Sequence, residues 1–167
     1  PFGRELWGRH WVFAHNGQLR GVKRLPLHFY RPIGSTDSEH AFCWLLDHIR
    51  ARFPQPPRRP AALWRYIRAL AGELNPRGVC NFLLSDADYL YAHCSTQLSW
   101  LTRRAPFGKA CLMDADMMVD FQAETTPDDV VTVVATRPLT DNEPWTVMNA
   151  GTLAIFDAGE PVAMLDH

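Results

Sequence analysis

Trp11-Val-Phe-Ala-His-Asn-Gly17 is the stretch around which the chain is organised. An apolar run, Trp11 to Ala14, ends in His15-Asn16-Gly17. Two readings are open. Asn-Gly after a β-rich run signals a two-residue hairpin, because a type I′ turn needs positive φ at both central positions. Alternatively, the Asn16 amide and the Gly17 backbone N–H both point at one spot and stabilise an oxyanion. Two donors on a tight turn, with no Cβ at Gly17 to obstruct approach, suit such a hole.

Outward from this stretch, the chain reads as an α+β domain. Pro1 to His10 is a lead-in, Trp11 to Ala14 the first strand, and Leu19 the start of its return. Gly21 to Ile33 is an ordered loop anchored by Phe29 and Tyr30. Thr36-Asp37-Ser38-Glu39 is a capping box: Thr36 accepts the Glu39 N–H and Glu39 reaches back. In the helix that follows, Phe42, Leu45, Leu46, Ile49 and Phe53 fall at helical spacing, so one stripe is buried against a sheet. Pro54 to Pro60 is a connector. Ala61 to Leu74 is a second amphipathic helix, stopped by Asn75-Pro76-Arg77-Gly78.

The periodicity then changes. Val79–Leu84 and Tyr89–Cys94 are strands joined by the turn Ser85-Asp86-Ala87-Asp88. Leu98–Thr102 adds another. Pro106 to Thr126 is irregular, with a weak strand at Val119-Asp120-Phe121. Val130–Ala135 is a β-branched run expected to be buried on both faces. Trp145–Met148 is short and extended, and Leu153–Phe156 is the last strand before Gly159. Helices segregated from mostly antiparallel strands give a layered α+β domain.

Composition narrows the function classes. The 167 residues suit one domain with a sizeable core. A formal net charge of −1 provides no basic field for nucleic acid. No apolar run reaches the roughly 18–20 residues of a membrane span, and no signal peptide is recognisable. Cys43, Cys80, Cys94 and Cys111 are widely spaced, which argues against a zinc site or a disulfide framework and for a reducing, cytoplasmic compartment. They read as core residues. His93 reads as a packed core histidine, Asp86 and Asp88 as turn residues, and Arg103-Arg104 as a solvated pair. The other histidines have no metal-ligand spacing.

Four segments come in order: Ala14-His15-Asn16-Gly17; Thr36-Asp37-Ser38-Glu39; Asn81-Phe82-Leu83-Leu84-Ser85-Asp86; and Val133-Val134-Ala135-Thr136-Arg137-Pro138-Leu139-Thr140. Together they resemble the class II, N-terminal-nucleophile (Ntn) glutamine amidotransferases, most nearly the stand-alone bacterial branch without a fused synthase. The resemblance implies a four-layer αββα Ntn-hydrolase sandwich whose first strands are absent from this chain. It implies that Asn16 (side chain) and Gly17 (N–H) form the oxyanion hole, and that Asp37 holds the α-amino group of glutamine through a charge-assisted hydrogen bond. His15 adjoins the turn, orients it, and is grouped with Asp37 in substrate binding.

The family's nucleophile is a Cys at the mature N-terminus, whose α-amine acts as base. The family also uses an upstream Arg for the substrate carboxylate. Neither is present here. Pro1-Phe2-Gly3-Arg4 reads as the continuation of a longer segment, so residues 1–167 are expected to form one glutamine amidotransferase domain, incomplete at its N-terminus. The expected activity is hydrolysis of the glutamine side-chain amide. Hydrolysis of other γ-glutamyl amides or peptides, and a non-catalytic glutamine-binding module, are the alternatives. An ammonia acceptor protein in trans fits the family, and no metal or organic cofactor is implied.

Overall fold

The computed structural model describes residues 1–113, 118–120 and 126–166. It opens with β1 (Phe2–Leu6) and β2 (Arg9–Leu19), an antiparallel pair closed by Trp7-Gly8. Both turn residues have positive φ, 60° and 74°. That is the backbone a type I′ hairpin demands, but tryptophan rarely adopts it. Tertiary contacts hold it there. Trp7 Nε1 donates to the Phe53 carbonyl at 3.0 Å, and its ring meets Trp11 edge-on at 5.7 Å. The lead-in of the sequence reading is therefore a strand, and a bulky residue hides its turn.

The hairpin expected at Asn16-Gly17 does not form. β2 continues through His15-Asn16-Gly17 to Leu19, paired with β3 (Gly78–Ser85) from Val12↔Ser85 to Leu19↔Gly78. Gly17 is needed for a different reason: its φ is 152°, and a Cβ there would lie 2.0 Å from the Val79 carbonyl oxygen. Such a glycine marks close approach of two backbones as readily as it marks a turn.

The main sheet has the order β1-β2-β3-β4-β10-β11, with β4 at Leu90–His93, β10 at Leu153–Asp157 and β11 at Glu160–Leu165. Strand alternation divides its side chains between two cores. Phe13, Phe82, Leu84, Tyr91, Leu153 and Ile155 face the helices α1 (Asp37–Arg52) and α2 (Pro60–Leu74). Ala92, Ala154 and Phe156 face the other way, with Leu83, Trp100 and Val134 packed against them. That second face meets a three-stranded sheet of order β8-β5-β9, built from β5 (Ser99–Arg104), β8 (Val130–Ala135) and β9 (Thr146–Val147). A ribbon of β6 (Lys109–Cys111) and β7 (Met118–Asp120) stands apart. All these pairings are antiparallel. The fold is α+β, and the described residues build helix, sheet and sheet layers, with both α-helices on one face.

Several boundaries are corrected. β8 is not buried on both faces: it is an edge strand, and Val131 is 44% exposed. β11 follows the expected last strand through a turn at Ala158-Gly159, both at positive φ. Phe121 lies outside the described residues. At the start of α1, Thr36 Oγ1 accepts the Glu39 N–H at 3.2 Å, as expected, but Glu39 does not reach back. Its buried carboxylate accepts the N–H groups of Ile33 and Gly34 and pairs with Arg4 at 2.6 Å.

Candidate active site

β1 covers β2 only as far as Phe13, which pairs with Phe2. Beyond that point no strand among the described residues covers this edge of β2. Backbone groups alternate in direction along a strand. The Arg20 N–H bonds the Arg77 carbonyl on the β3 side, whereas the Leu19 N–H points the opposite way, to Asp37. By the same alternation the Gly17 N–H points to the uncovered edge, about 7 Å along it from that of Leu19.

Asp37 comes to this edge as the first residue of α1. Its Oδ2 accepts the Leu19 N–H at 2.7 Å and its Oδ1 accepts the Ser38 N–H at 2.9 Å. Burial raises its pKa, but the Leu19 and Ser38 N–H hydrogen bonds, the nearby His15 and the Ser38 hydroxyl together hold the carboxyl below its usual range. Asp37 is thus an anion with a fixed direction. Oδ1 also accepts the Ser38 hydroxyl at 3.4 Å, so it is Oδ2 that keeps a second lone-pair site for a substrate.

His15 does not orient a turn; it ties the helix start to β3. Its Nε2 lies 3.0 Å from the Val79 carbonyl oxygen and its Nδ1 lies 2.8 Å from Ser38 Oγ. A carbonyl can only accept, so Nε2 carries the proton that meets Val79, while Nδ1 faces the Ser38 hydroxyl, whose Oγ lies 3.4 Å from Asp37 Oδ1. Ser38 then couples His15 to Asp37. Ser38 stands in the capping sequence, but its link to His15 spans β2 and α1 and has no local signature.

Asn16 lies on the opposite side of the strand from the Phe13–His15 face. Its Nδ2 donates to Thr136 Oγ1 at 3.2 Å, just past the end of β8. The two residues line a cavity of about 210 Å³ between the sheets, with Asn81, Leu98 and Val134. Asn81 is the cross-strand partner of Asn16. Its carbonyl oxygen accepts the N–H groups of Ser95 and Thr96, and its amide donates to Thr96 Oγ1. It fixes that loop.

Gly17 and Asp37 line a separate, open concavity of about 670 Å³, shared with Arg20, Lys23 and Arg24. None of these three cations is in an ion pair among the described residues. The structure therefore brings Gly17 and Asp37 to one strand edge. It directs the Asn16 amide over the adjoining face, one residue away. The cations escaped the sequence reading because single charged residues in a loop carry no spacing signal.

The remaining candidates are structural. Cys43, Cys80 and Cys94 are buried, and burial pushes the Cys80 thiol up to about 12; Cys111 is not a core residue, because it ends β6 and is only half-buried. His93 is buried, packs on Phe82 at 5.1 Å, and bonds Asn75 through Nε2; burial lowers its pKa to about 4. Asp86 caps its turn, accepting the N–H groups of Asp88 and Tyr89. Arg103 is not a solvated cation: it grips Glu143 with two hydrogen bonds, of 2.7 and 2.6 Å. No group of three or more potential metal ligands occurs among the described residues. None of their helices is long and apolar enough to cross a membrane.

Comparison with known proteins gives a consistent result. The family model "Glutamine amidotransferases class-II" matches residues 1–167. The chain is 56% identical over 162 residues to "Putative glutamine amidotransferase YafJ" of Escherichia coli (strain K12), covering 97% of this chain and 64% of that protein. It is 42% identical over 163 residues to a "Putative glutamine amidotransferase" of Haemophilus influenzae (strain ATCC 51907 / DSM 11121 / KW20 / Rd), covering 98% of this chain and 55% of that protein. A crystal structure described as a predicted glutamine amidotransferase from Pseudomonas aeruginosa PA01 aligns with a TM-score of 0.84 and 52% identity, covering 98% of this chain and 64% of that one. The chain thus spans less than two thirds of the length of these relatives.

Proposed function

The chain belongs to the class II glutamine amidotransferases, and on that premise we propose that residues 1–167 carry the substrate-holding and oxyanion-stabilising part of a glutamine-hydrolysing site. In this reading they form one domain. The nucleophile is a cysteine thiol contributed from outside these residues: Cys43, Cys80 and Cys94 are buried and suit packing, and Cys111 lies in the separate β6–β7 ribbon.

The thiolate attacks the side-chain amide carbon of glutamine. The carbonyl oxygen becomes an oxyanion, met by the Gly17 N–H and the Asn16 amide. The thiol proton passes to the departing nitrogen, ammonia leaves, and water cleaves the γ-glutamyl thioester. Asp37 binds the α-ammonium, and Ser38 and His15 fix its direction. Arg20, Lys23 and Arg24 supply positive charge toward the α-carboxylate.

The observation that carries this reading is the shared edge of β2. Alternation along the β2–β3 ladder directs the Gly17 N–H to it, and Asp37 is bonded to it through Leu19. One strand edge thus offers a donor for the reacting amide and an anion for the amino group.

The test is Asn16→Ala in the full-length protein, with ammonia release from glutamine measured. An oxyanion contact exists only in the transition state, so kcat should fall about 10²–10³-fold with KM nearly unchanged. An unchanged kcat overturns the assignment.

A further inference from the structure

The Asn16 side chain extends from the six-stranded sheet, yet its hydrogen-bond partner directly follows a strand of the other sheet. Thr136 directly follows β8, and its Oγ1 accepts from Asn16 Nδ2 at 3.2 Å across 120 positions of sequence. Asn16 is exposed. An exposed asparagine has a broad χ2, so its amide has no intrinsic direction. A contact that fixes it must come from elsewhere in the fold.

We propose that Thr136 is the positioning residue for the Asn16 amide, so that the three-stranded sheet sets the aim of a donor carried by the six-stranded sheet. This inference rests on the oxyanion role given to Asn16 above. The chemistry is specific. Asn16 Nδ2 has two hydrogens. Thr136 Oγ1 takes one, which orients the planar amide and leaves the other to meet the oxyanion. The Thr136 hydroxyl touches no reacting atom in this scheme; it acts through Asn16.

The sheets supply the rigidity. β8 pairs with β5 over six residues, Ser99↔Ala135 to Arg104↔Val130, so Thr136 is fixed directly beyond a paired strand end. Trp100, the neighbour of Val134 in that ladder, packs edge-on against Phe156 of the six-stranded sheet at 5.5 Å. The Asn16–Thr136 distance is thus held by an apolar contact between the two sheets.

The experiment uses the full-length protein and three variants: Asn16→Ala, Thr136→Val and Thr136→Ser. Thr136→Val keeps the shape and removes the acceptor; Thr136→Ser keeps the acceptor. A misplaced catalytic group costs up to about 10²-fold, less than or equal to loss of the donor itself. Thr136→Val should therefore lower kcat for glutamine about 10- to 100-fold with KM near wild type. Thr136→Ser should recover it to within about threefold, because its hydroxyl can accept the same bond. The Asn16 side-chain amide resonances give a readout independent of turnover: they should shift in Thr136→Val and stay in place in Thr136→Ser. If Thr136→Val does not fold, Thr136→Ala read by the same resonances and rates replaces it. Wild-type kcat in Thr136→Val beside an impaired Asn16→Ala overturns the positioning role and leaves the oxyanion assignment standing. Equal impairment of the Ser and Val variants also overturns it. An unimpaired Asn16→Ala overturns both.

Discussion

Leu19 donates its backbone N–H to Oδ2 of Asp37 over 2.7 Å, which joins the end of a central strand to the first residue of a helix. The bond fills an unpaired strand donor and fixes a carboxylate in one step. It also places a charged group at the edge where the neighbouring Gly17 N–H is directed. Replacing Asp37 by Asn keeps an acceptor for Leu19 and removes the charge. We expect KM for glutamine to rise at least tenfold, because the ammonium loses a charge-assisted partner, with a smaller change in kcat. Steady-state ammonia release checks this, and an unchanged KM excludes Asp37 from substrate binding.

Lys23 and Arg24 share the concavity of Asp37 without ion-pair partners among the described residues. Changing both to Gln should raise KM several-fold with kcat nearly constant, and should flatten the dependence of kcat/KM on salt. If the salt dependence of the double variant matches that of the wild type, these cations do not meet the substrate.

Gly17→Ala tests the backbone approach. A Cβ would lie 2.0 Å from the Val79 carbonyl oxygen, and a main-chain atom cannot swing aside. The strands would have to separate, and a positive φ adds strain of about 1–3 kcal/mol. Urea unfolding should show a loss of at least that size. A stability equal to the wild type would mean that β2 and β3 lie farther apart.

Glu39 is a buried carboxylate that receives Ile33, Gly34 and Arg4. The Ile33 hydrogen bond, then the Arg4 and Gly34 hydrogen bonds, hold its pKa below the usual value despite burial. Its stabilising effect is complete above about pH 4.5 and is lost as pH falls through the lower folded value. Glu39→Ala leaves a half-buried guanidinium and two N–H groups without their acceptor, at a cost of about 3–5 kcal/mol. Denaturant midpoints at pH 7 and pH 3.5 should show a large difference between wild type and variant at pH 7 and a smaller one at pH 3.5.

His93 gives a second pH window. Burial lowers its pKa to about 4, so the folded protein keeps the ring neutral where the unfolded chain would protonate it. Stability contributed above about pH 6.5 is therefore lost as pH falls toward 4, on the order of 2 kcal/mol by pH 5. His93→Gln should remove this slope between pH 6.5 and 5, above the range where Glu39 titrates. An identical slope in the variant would assign it to other groups.

The local features were legible because they depend on neighbours in sequence. Thr36 caps α1, the apolar spacing from Phe42 to Ile49 forms its buried stripe, and Asp86 closes the β3–β4 turn. Neither hairpin turn is legible from its own residues, for a physical reason. A Trp at positive φ is unfavourable alone and persists at Trp7 only through Phe53 and Trp11. The Asn-Gly pair is turn-prone alone, yet β3 draws it into a strand. β8 has the composition of a doubly buried strand, but burial is set by layer order, and it lies at an edge.

The sequence by itself determined the α+β class, both helices, the family resemblance and the identity of Asn16, Gly17 and Asp37 as the groups to watch. Propensity, capping and motif order act over a few residues and survive without a fold. Only the tertiary structure decided where those groups point. The Gly17 N–H direction follows from pairing with β3, Asp37 is aimed by Leu19, and the Asn16 amide is held by Thr136, 120 positions away. Hydrogen-bond direction depends on which strands lie side by side, and that is fixed when distant segments pack around shared cores.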